Sequence, residues 1–227
     1  MEKRHISIAI DGPSGAGKST LARCIAADMG FVYIDTGAMY RTIGLAVRRA
    51  GADPKNIDAV CSVLPDVRIT AQYDNDGVQR MYLNGEDVSA EIRQPEISIY
   101  ASDVSALPPV RQFLLGMQRD MASSCDVIMD GRDIGTVVLP DAGMKIFLTA
   151  SPEERARRRH EELKARGDSS TYEEVLRDIQ YRDKNDSSRA AAPLRPAEDA
   201  VYLDTTGNSF EQSRGLIAGL IKERFGL

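Results

Sequence analysis

Tryptophan is absent from the 227-residue chain, and histidine occurs only at His5 and His160. These two lie far apart in sequence and read as solvated or terminal side chains. Cysteine is almost as scarce. Cys24, Cys61 and Cys125 are an odd number, widely spaced and without a C-x-x-C pair. That pattern excludes a disulfide framework and a zinc site, and fits inert thiols in a reducing compartment. No apolar run reaches the length of a signal peptide or a membrane span, so a soluble, cytoplasmic protein is expected. No repeat, low-complexity stretch or single-sign tail is present. The net charge of −5 argues against a protein that coats nucleic acid. With 42% hydrophobic residues the chain can still bury a sizeable core, as one large domain or a core domain with small insertions.

What is there begins with Gly12-Pro13-Ser14-Gly15-Ala16-Gly17-Lys18-Ser19-Thr20, which fits G-x-x-x-x-G-K-[ST]. The flanks give the pattern its weight. Ile6–Ile10 is an apolar, β-branched run, and Leu21, Ile25 and Met29 follow at helical spacing. Strand, glycine-rich turn and helix together form a P-loop. Its backbone N–H groups can surround a phosphate, and the helix adds its positive end. Lys18 is placed to reach the β- and γ-phosphates, and the Ser19 hydroxyl to ligate Mg²⁺. A nucleoside triphosphate is the expected ligand of residues 12–20.

Five apolar runs read as buried parallel strands: Ile6–Ile10, Phe31–Ile34, Val127–Met129, Ile146–Leu148 and Val201–Leu203. Four end at or beside Asp11, Asp35, Asp130 and Asp204. Helical patterns separate most of them, which predicts an α/β, doubly wound parallel five-stranded sheet with its site at the strands' carboxyl ends. After Asp35 a helix is expected from about Gly37 to Ala50, with Tyr40 and Arg41 near its start. An arginine there opposes the helix dipole, which suggests an anion to hold. From Asp66 to Ile92 the pattern alternates, with turns at Asp74-Asn75-Asp76-Gly77 and Asn84-Gly85. This predicts a small antiparallel β insertion, either a flap over a second substrate or a structural outgrowth. Helices follow over Gln94–Ala106 and Pro109–Ala122. The expected division is a core of 1–65, 123–150 and 190–227, an acceptor-binding insertion of about 66–122, and a helical lid of about 151–189.

The strand ending in Asp130 resembles a Walker B arrangement, in which the carboxylate supports Mg²⁺. Arg132 and Asp133 follow at once. Charges at a buried strand end need a ligand or partners. Ser151-Pro152-Glu153-Glu154 starts a helix bearing Arg155, Arg157, Arg158 and Arg159, and Thr171-Tyr172-Glu173-Glu174 starts a second. Arg182, Asp186 and Arg189 share one face of that second helix. With little apolar surface in view, the pair reads as a solvated hairpin or as a lid closing its arginines on a polyphosphate. Asp183-Lys184-Asn185-Asp186 imitates N-K-x-D, but starts with Asp and lies within a charged helix. The terminal helix, Ser209 to Phe225, offers Leu216 with Leu220 and Ile217 with Ile221 as apolar pairs. Thr205 to Asn208 lies at the last strand's end, where it either contacts a donor base or is a plain loop. An arginine-rich lid over a P-loop suggests transfer between two bound anions with water shut out, which needs several cations and precise placement rather than a strong base.

Gly12–Lys18, Asp35-Thr36-Gly37-Ala38-Met39-Tyr40-Arg41, Asp130-Gly131-Arg132-Asp133-Ile134-Gly135-Thr136-Val137-Val138 and Arg189-Ala190-Ala191-Ala192-Pro193-Leu194 together resemble the bacterial cytidylate kinases. Leu83-Asn84-Gly85-Glu86-Asp87-Val88 and Glu91-Ile92-Arg93 are similar to that family's enlarged acceptor region. The resemblance covers essentially the whole chain. It implies phosphorylation of CMP and dCMP by ATP with Mg²⁺ in a monomer, without nucleic acid or membrane. By motif, Thr36, Tyr40, Arg41, Arg132, Arg182 and Arg189 surround the acceptor, Asp186 accepts from its ribose, and Ser102, Arg111 and Asp133 read cytosine. Asp130 and Gly131 complete that wall. Lys18, Arg132, Arg182 and Arg189 carry the chemistry, and Arg155, Arg158 and Arg159 are candidates for the ATP phosphates. Cytosine offers an N4 donor and N3 and O2 acceptors, so an acceptor such as Asp133 and a donor such as Arg111 suit it. Uracil would set a carbonyl against the carboxylate. Ser19 stands where some members of the family have glycine, and Thr36 where serine is frequent. The rival readings are a P-loop kinase for UMP, AMP or a non-nucleotide acceptor, and a nucleotide-hydrolysing switch. Arg189→Ala is expected to cost turnover with little loss of fold.

Overall fold

Residues 5–227 are described by a computed structural model. In chain order they form β1 (Ser7–Asp11), α1 (Lys18–Met29), β2 (Val32–Asp35), α2 (Thr36–Arg49), α3 (Ile57–Val63), β3 (Ile69–Tyr73), β4 (Gln79–Leu83) and β5 (Glu86–Asp87). There follow α4 (Pro95–Ser105), α5 (Pro108–Ser123), β6 (Val127–Gly131), β7 (Met144–Thr149), α6 (Pro152–Ala165), α7 (Tyr172–Ser188), β8 (Val201–Asp204) and α8 (Phe210–Phe225). The five apolar runs make one parallel sheet in the order β2–β6–β1–β7–β8. Its strands alternate faces, as the two-residue period requires. Ile8, Ile10 and Ile128 pack with Leu21 and Ile25 of α1 and Ile217 and Ile221 of α8. Ala9, Val127 and Met129 face the other way, against Met39 and Ile43 of α2, Ile97 of α4 and Leu114 of α5. Helices on both faces are what bury a sheet of this kind. Of the two apolar pairs on α8, Ile217 and Ile221 are fully buried; Leu220 packs at the edge of the same cluster, and Leu216 is half exposed.

The insertion is a second sheet, β3–β4–β5, antiparallel throughout. Asn84 and Gly85, with φ of 52° and 88°, make the two-residue turn that matches strand twist. This sheet is joined to the main core, since Met81 and Leu83 lie in one buried cluster with Ile34 and Met39. Polar bonds tie it to β2 as well. The Asp35 amide donates to Gln79 Oε1 at 2.9 Å, and Tyr73 Oη donates to the Tyr33 carbonyl at 3.0 Å.

The two charged helices have an apolar seam of their own. Ala156 and Leu163 of α6 meet Val175 and Ile179 of α7, flanked by Tyr172 and Leu176. His160 also serves here, edge-on to Tyr172 at 6.4 Å between ring centroids. A five-residue π-helical turn, Ile134–Val138, links β6 to β7. Buried Asp11 holds its start, accepting from the amides of Ile134 at 2.7 Å and Gly135 at 2.8 Å. Among the described residues no helix is long and apolar enough to cross a membrane.

Candidate active site

The carboxyl ends of β1, β2 and β6 open into a cavity of about 650 Å³. Eleven lysine and arginine side chains line it against five carboxylates, in a chain whose net charge is −5. Such a concentration of positive charge in a cleft selects anions.

The glycine-rich loop forms the floor. At Gly12 the backbone takes a φ of 149°, and a Cβ there would lie 1.9 Å from the Leu148 carbonyl oxygen. Only glycine lets β7 approach so closely. Gly17 caps α1 in the left-handed region, with no side-chain cap and no acidic residue in the first turn. The N–H groups at the start of α1 are therefore left for an anion. Lys18 is buried and donates to the Pro13 carbonyl at 2.8 Å. Burial, and then the nearby Arg132, lowers its pKa to about 7, so an anion arriving beside it restores its charge.

Asp130, at the end of β6, accepts from Ser19 Oγ at 2.9 Å and Tyr33 Oη at 2.8 Å. Burial and the neighbouring Asp35 raise its pKa to about 6. Thr36 Oγ1 donates to the Asp130 carbonyl at 2.8 Å, so its hydroxyl braces β6 as well as lining the cleft. Asp35 caps α2, accepting from the Ala38 amide and from Arg41 Nη2 at 2.9 Å. The carboxylate offsets the arginine's clash with the helix dipole. Arg41 Nε remains buried without a hydrogen-bond partner, and so does Arg182 Nε. Burial and Arg132 lower the Arg182 pKa to about 10.

Helix α7 presents two faces. Arg182 and Asp186 look into the cleft, where Asp186 pairs with Arg132 Nε at 2.7 Å. Burial works to raise the Asp186 pKa, but Arg132, Arg189 and Arg182 together hold it below its ordinary value. One step round, Tyr181 and Asn185 grip α4, as does Arg189, which lies past the end of α7 in extended backbone and so does not continue the face of Arg182 and Asp186 that the spacing suggests. Tyr181 Oη donates to Asp103 at 2.5 Å, and Asn185 Nδ2 to the carbonyl and hydroxyl oxygens of Ser102, both at 2.9 Å. Arg189 Nη1 donates to Ser105 Oγ at 3.1 Å. Asp133 is paired with Arg111 and lies 3.6 Å from Arg189 Nη2. Its carboxyl is pushed up by burial and pulled back by those two arginines.

Most of the residues expected in the site line this one cleft: Ser14, Gly15, Gly17, Lys18, Ser19, Thr20, Thr36, Tyr40, Arg41, Ser102, Asp130, Gly131, Arg132, Asp133, Arg158, Arg159, Arg182, Asp186 and Arg189. Gly12, Pro13 and Ala16 are buried beneath the floor. Two expectations need correction. Arg155 does not open onto the cleft. It is 3% exposed, and donates to the Ala150 and Ser14 carbonyls and to both oxygens of Asp183. It fastens the loop and α7 to α6. Arg111 stands behind Asp133 rather than on the wall, with Tyr40 beneath its guanidinium. Four arginines of the wall were not foreseen: Arg23, Arg93, Arg157 and Arg166. Arg157 lay in the arginine run, and Arg93 in the Glu91-Ile92-Arg93 stretch, so both were in view without a role.

The cytidylate kinase family model matches residues 8–223. The chain belongs to the cytidylate kinase family. Relatives bear this out across the molecule. The cytidylate kinase of Caldicellulosiruptor bescii is 50% identical over 209 residues, 92% of either chain. That of Fervidobacterium nodosum is 49% identical over 220 residues, 97% of this chain and 98% of its own. An uncharacterized protein of solved structure from Eubacterium ventriosum superposes with a TM-score of 0.50 at 11% identity, covering 96% of this chain and 99% of its own. That likeness speaks for the fold alone. Membership makes the protein an ATP-dependent nucleoside monophosphate kinase, and a cleft lined by arginines and floored by a P-loop suits that chemistry.

Proposed function

We propose that the protein transfers the γ-phosphoryl group of ATP to CMP or dCMP, giving ADP and CDP or dCDP. The observation that carries this is the excess of cations in one cleft that also holds a neutral and acidic corner, Ser102 and Asp133. Kinship with proteins named cytidylate kinase at about half identity supports it. On this reading the loop from Gly12 to Thr20 holds the donor phosphates by backbone N–H groups and Lys18. Arg41, Arg132 and Arg182 hold the acceptor phosphate, using the nitrogens of Arg41 and Arg182 that lack partners. Arg189 acts on that phosphate through Asp186 and on the base through Asp133. A nucleoside monophosphate is already largely dianionic at neutral pH, its second pKa being about 6. No general base is therefore required, and the arginines bring two mutually repelling anions into line. Asp133 accepts from the cytosine N4 amine, and Arg111 keeps the carboxylate ionised and fixed.

Residues suited to Mg²⁺ are at hand. Ser19 Oγ and the Asp130 carboxylate are 2.9 Å apart, and both offer hard oxygen donors. Among the described residues no cluster of three or more His, Cys, Asp or Glu could cage a metal. That fits an ion that takes its remaining ligands from phosphates and water. Ser19 and Asp130 would hold the ion, which would supply positive charge against that developing on the transferring phosphoryl group. A monomer working in the cytoplasm is the setting this reading assumes.

The test is ADP release with CMP, dCMP, UMP, AMP and GMP as acceptors. CMP and dCMP are expected to give the highest kcat/KM. If CMP yields no more ADP than a control lacking acceptor, the reading fails. Preference for UMP or AMP moves the protein to another kinase specificity, and turnover independent of any acceptor makes it a nucleotide hydrolase.

A further inference from the structure

Ser102 and Ser105 lie about one turn apart at the end of α4, both buried, and their hydroxyls are held in different ways. Ser105 Oγ turns back on its own helix and donates to the Ser102 carbonyl at 2.8 Å, the usual resort of a serine inside a helix. The Ser102 hydroxyl is held from outside. Asn185 Nδ2, on α7, donates to Ser102 Oγ and to the Ser102 carbonyl, both at 2.9 Å. That carbonyl belongs to the last turn of α4, where a helix has no N–H of its own to offer. Ser102 lines the cleft, as Asp133 does, whereas Asn185 stands behind it, half-buried and off the wall.

The direction of these bonds is fixed. A carbonyl only accepts, so the nitrogen of the Asn185 amide, not its oxygen, must face Ser102. Ser102 Oγ therefore accepts from Asn185, which leaves its hydrogen and its second lone pair for other partners. Without the amide, Ser102 has the option that Ser105 takes, a bond back to a carbonyl one turn earlier in α4. The other side chains that join this end of the lid to α4 do not touch the Ser102 side chain. Tyr181 Oη reaches Asp103, and Arg189 Nη1 reaches Ser105 Oγ.

We infer that Asn185 is a positioning residue for the acceptor base: it holds the Ser102 hydroxyl in the orientation that the cleft presents to the base edge. The inference rests on the proposed reading of Ser102 and Asp133 as the corner that receives cytosine. Asn185 acts through Ser102, so its effect belongs to CMP and not to ATP. Within α7 it is thereby set apart from Arg182 and Asp186, which face the cleft themselves.

The experiment is a double-mutant cycle. KM for CMP and KM for ATP are measured for wild type, Asn185→Ala, Ser102→Ala and the double variant, with Asn185→Asp and Tyr181→Phe alongside, and melting curves show that each is folded. Asn185→Ala is expected to raise the KM for CMP about fivefold, the order of one neutral hydrogen bond, with the KM for ATP unchanged. Asn185→Asp, which keeps the shape and loses the donors, does the same. In the Ser102→Ala background the further rise is less than about twofold, because the group through which Asn185 acts is gone. Tyr181→Phe, which loses a bond elsewhere in the same interface, keeps both KM values. The inference is overturned if Asn185→Ala leaves the KM for CMP unchanged, raises both KM values alike as a loosened α7 would, or raises the KM for CMP by the same factor with and without the Ser102 hydroxyl. It is overturned too if Tyr181→Phe raises the KM for CMP as far as Asn185→Ala does. A wild type that uses CMP with a KM indifferent to Ser102→Ala defeats the inference and leaves the proposed function standing, whereas a wild type that gives no ADP with CMP defeats both.

Discussion

Replacing Asp130 by asparagine should make the ligand-free protein more stable while depriving it of turnover. The carboxylate is 3% exposed, and burial, reinforced by Asp35, lifts its pKa from 3.8 to about 6. A carboxyl whose folded pKa is raised binds its proton more tightly when folded. Stability is therefore lost as pH climbs between about 4 and 6, and the full penalty stands above pH 6. A shift of that size corresponds to roughly 3 kcal/mol. Asparagine carries no charge, and its two partners are hydroxyls that can turn: Tyr33 Oη donates to the amide oxygen, and Ser19 Oγ accepts from the amide nitrogen. Loss of the attraction between Asp130 and Lys18 gives some of the gain back. The expected net gain at pH 8 is about 1–2 kcal/mol, or some 2–8 °C for a chain of this length. The assay is a melting curve without nucleotide or Mg²⁺ at pH 8 and at pH 4, where the gain should vanish. Asp11 is the control. Burial raises its pKa to about 6 as well, but its partners are two backbone N–H groups that cannot reverse. An amide there must set a donor against a donor, leaving one N–H unsatisfied at a cost of about 1–3 kcal/mol. Asp11→Asn should therefore melt below Asp130→Asn at every pH. An Asp130→Asn protein that melts below wild type at pH 8, or whose gain persists at pH 4, refutes the reasoning. Turnover should fall in Asp130→Asn and recover in part with excess Mg²⁺.

Arg189→Ala now carries a different expectation from the one the sequence suggests. The side chain is 2% exposed and lies between Asp133 and Asp186, so its loss should cost about 3–5 kcal/mol by leaving buried carboxylates short of a cation, read as a lower melting temperature alongside lost turnover. Gly44→Ala should push α2 and α4 apart, because a Cβ there would sit 2.9 Å from the Ala101 amide nitrogen and 3.1 Å from Tyr100 Cβ. A cost of about 1–3 kcal/mol is typical of such overpacking, and since α4 carries Ser102 and Ser105, the KM for CMP should rise while that for ATP holds.

The sheet could be read from the chain because its signals are local. A strand buried on both faces is an unbroken apolar run, and the P-loop needs only nine consecutive residues between a strand and a helix. Asn84-Gly85 announced its hairpin in the same way. The π-helical turn at Ile134–Val138 had no such signature. It exists because Asp11, 123 residues earlier, offers two lone pairs to Ile134 and Gly135. The seam between α6 and α7 was missed because Ala156, Leu163, Val175 and Ile179 are thinly spread among charges. Four small or medium apolar side chains suffice when Arg155 and Asp183 clamp the same two helices.

The site itself was legible as a set of residue types but not as a set of pairings. Eleven arginines and aspartates can be named from the motifs, yet sequence does not say which cation faces a ligand and which faces a carboxylate. Arg155 and Arg158 occupy one helical face with Arg159, and nothing in their spacing separates them. The fold does so by bringing Asp183 to the first and the carbonyls of Thr205 and Asn208 to the second. The segment Asp183-Lys184-Asn185-Asp186 shows the same logic. As a motif it points to guanine, but within α7 its residues face three ways: Asp183 to Arg155, Asn185 to Ser102 and Asp186 to Arg132. A single helix turn thus joins the loop, the acceptor helix and the end of β6. Displacing α7 has to disturb donor and acceptor sides together, which is the coupling that a transfer between two bound anions, rather than to water, requires.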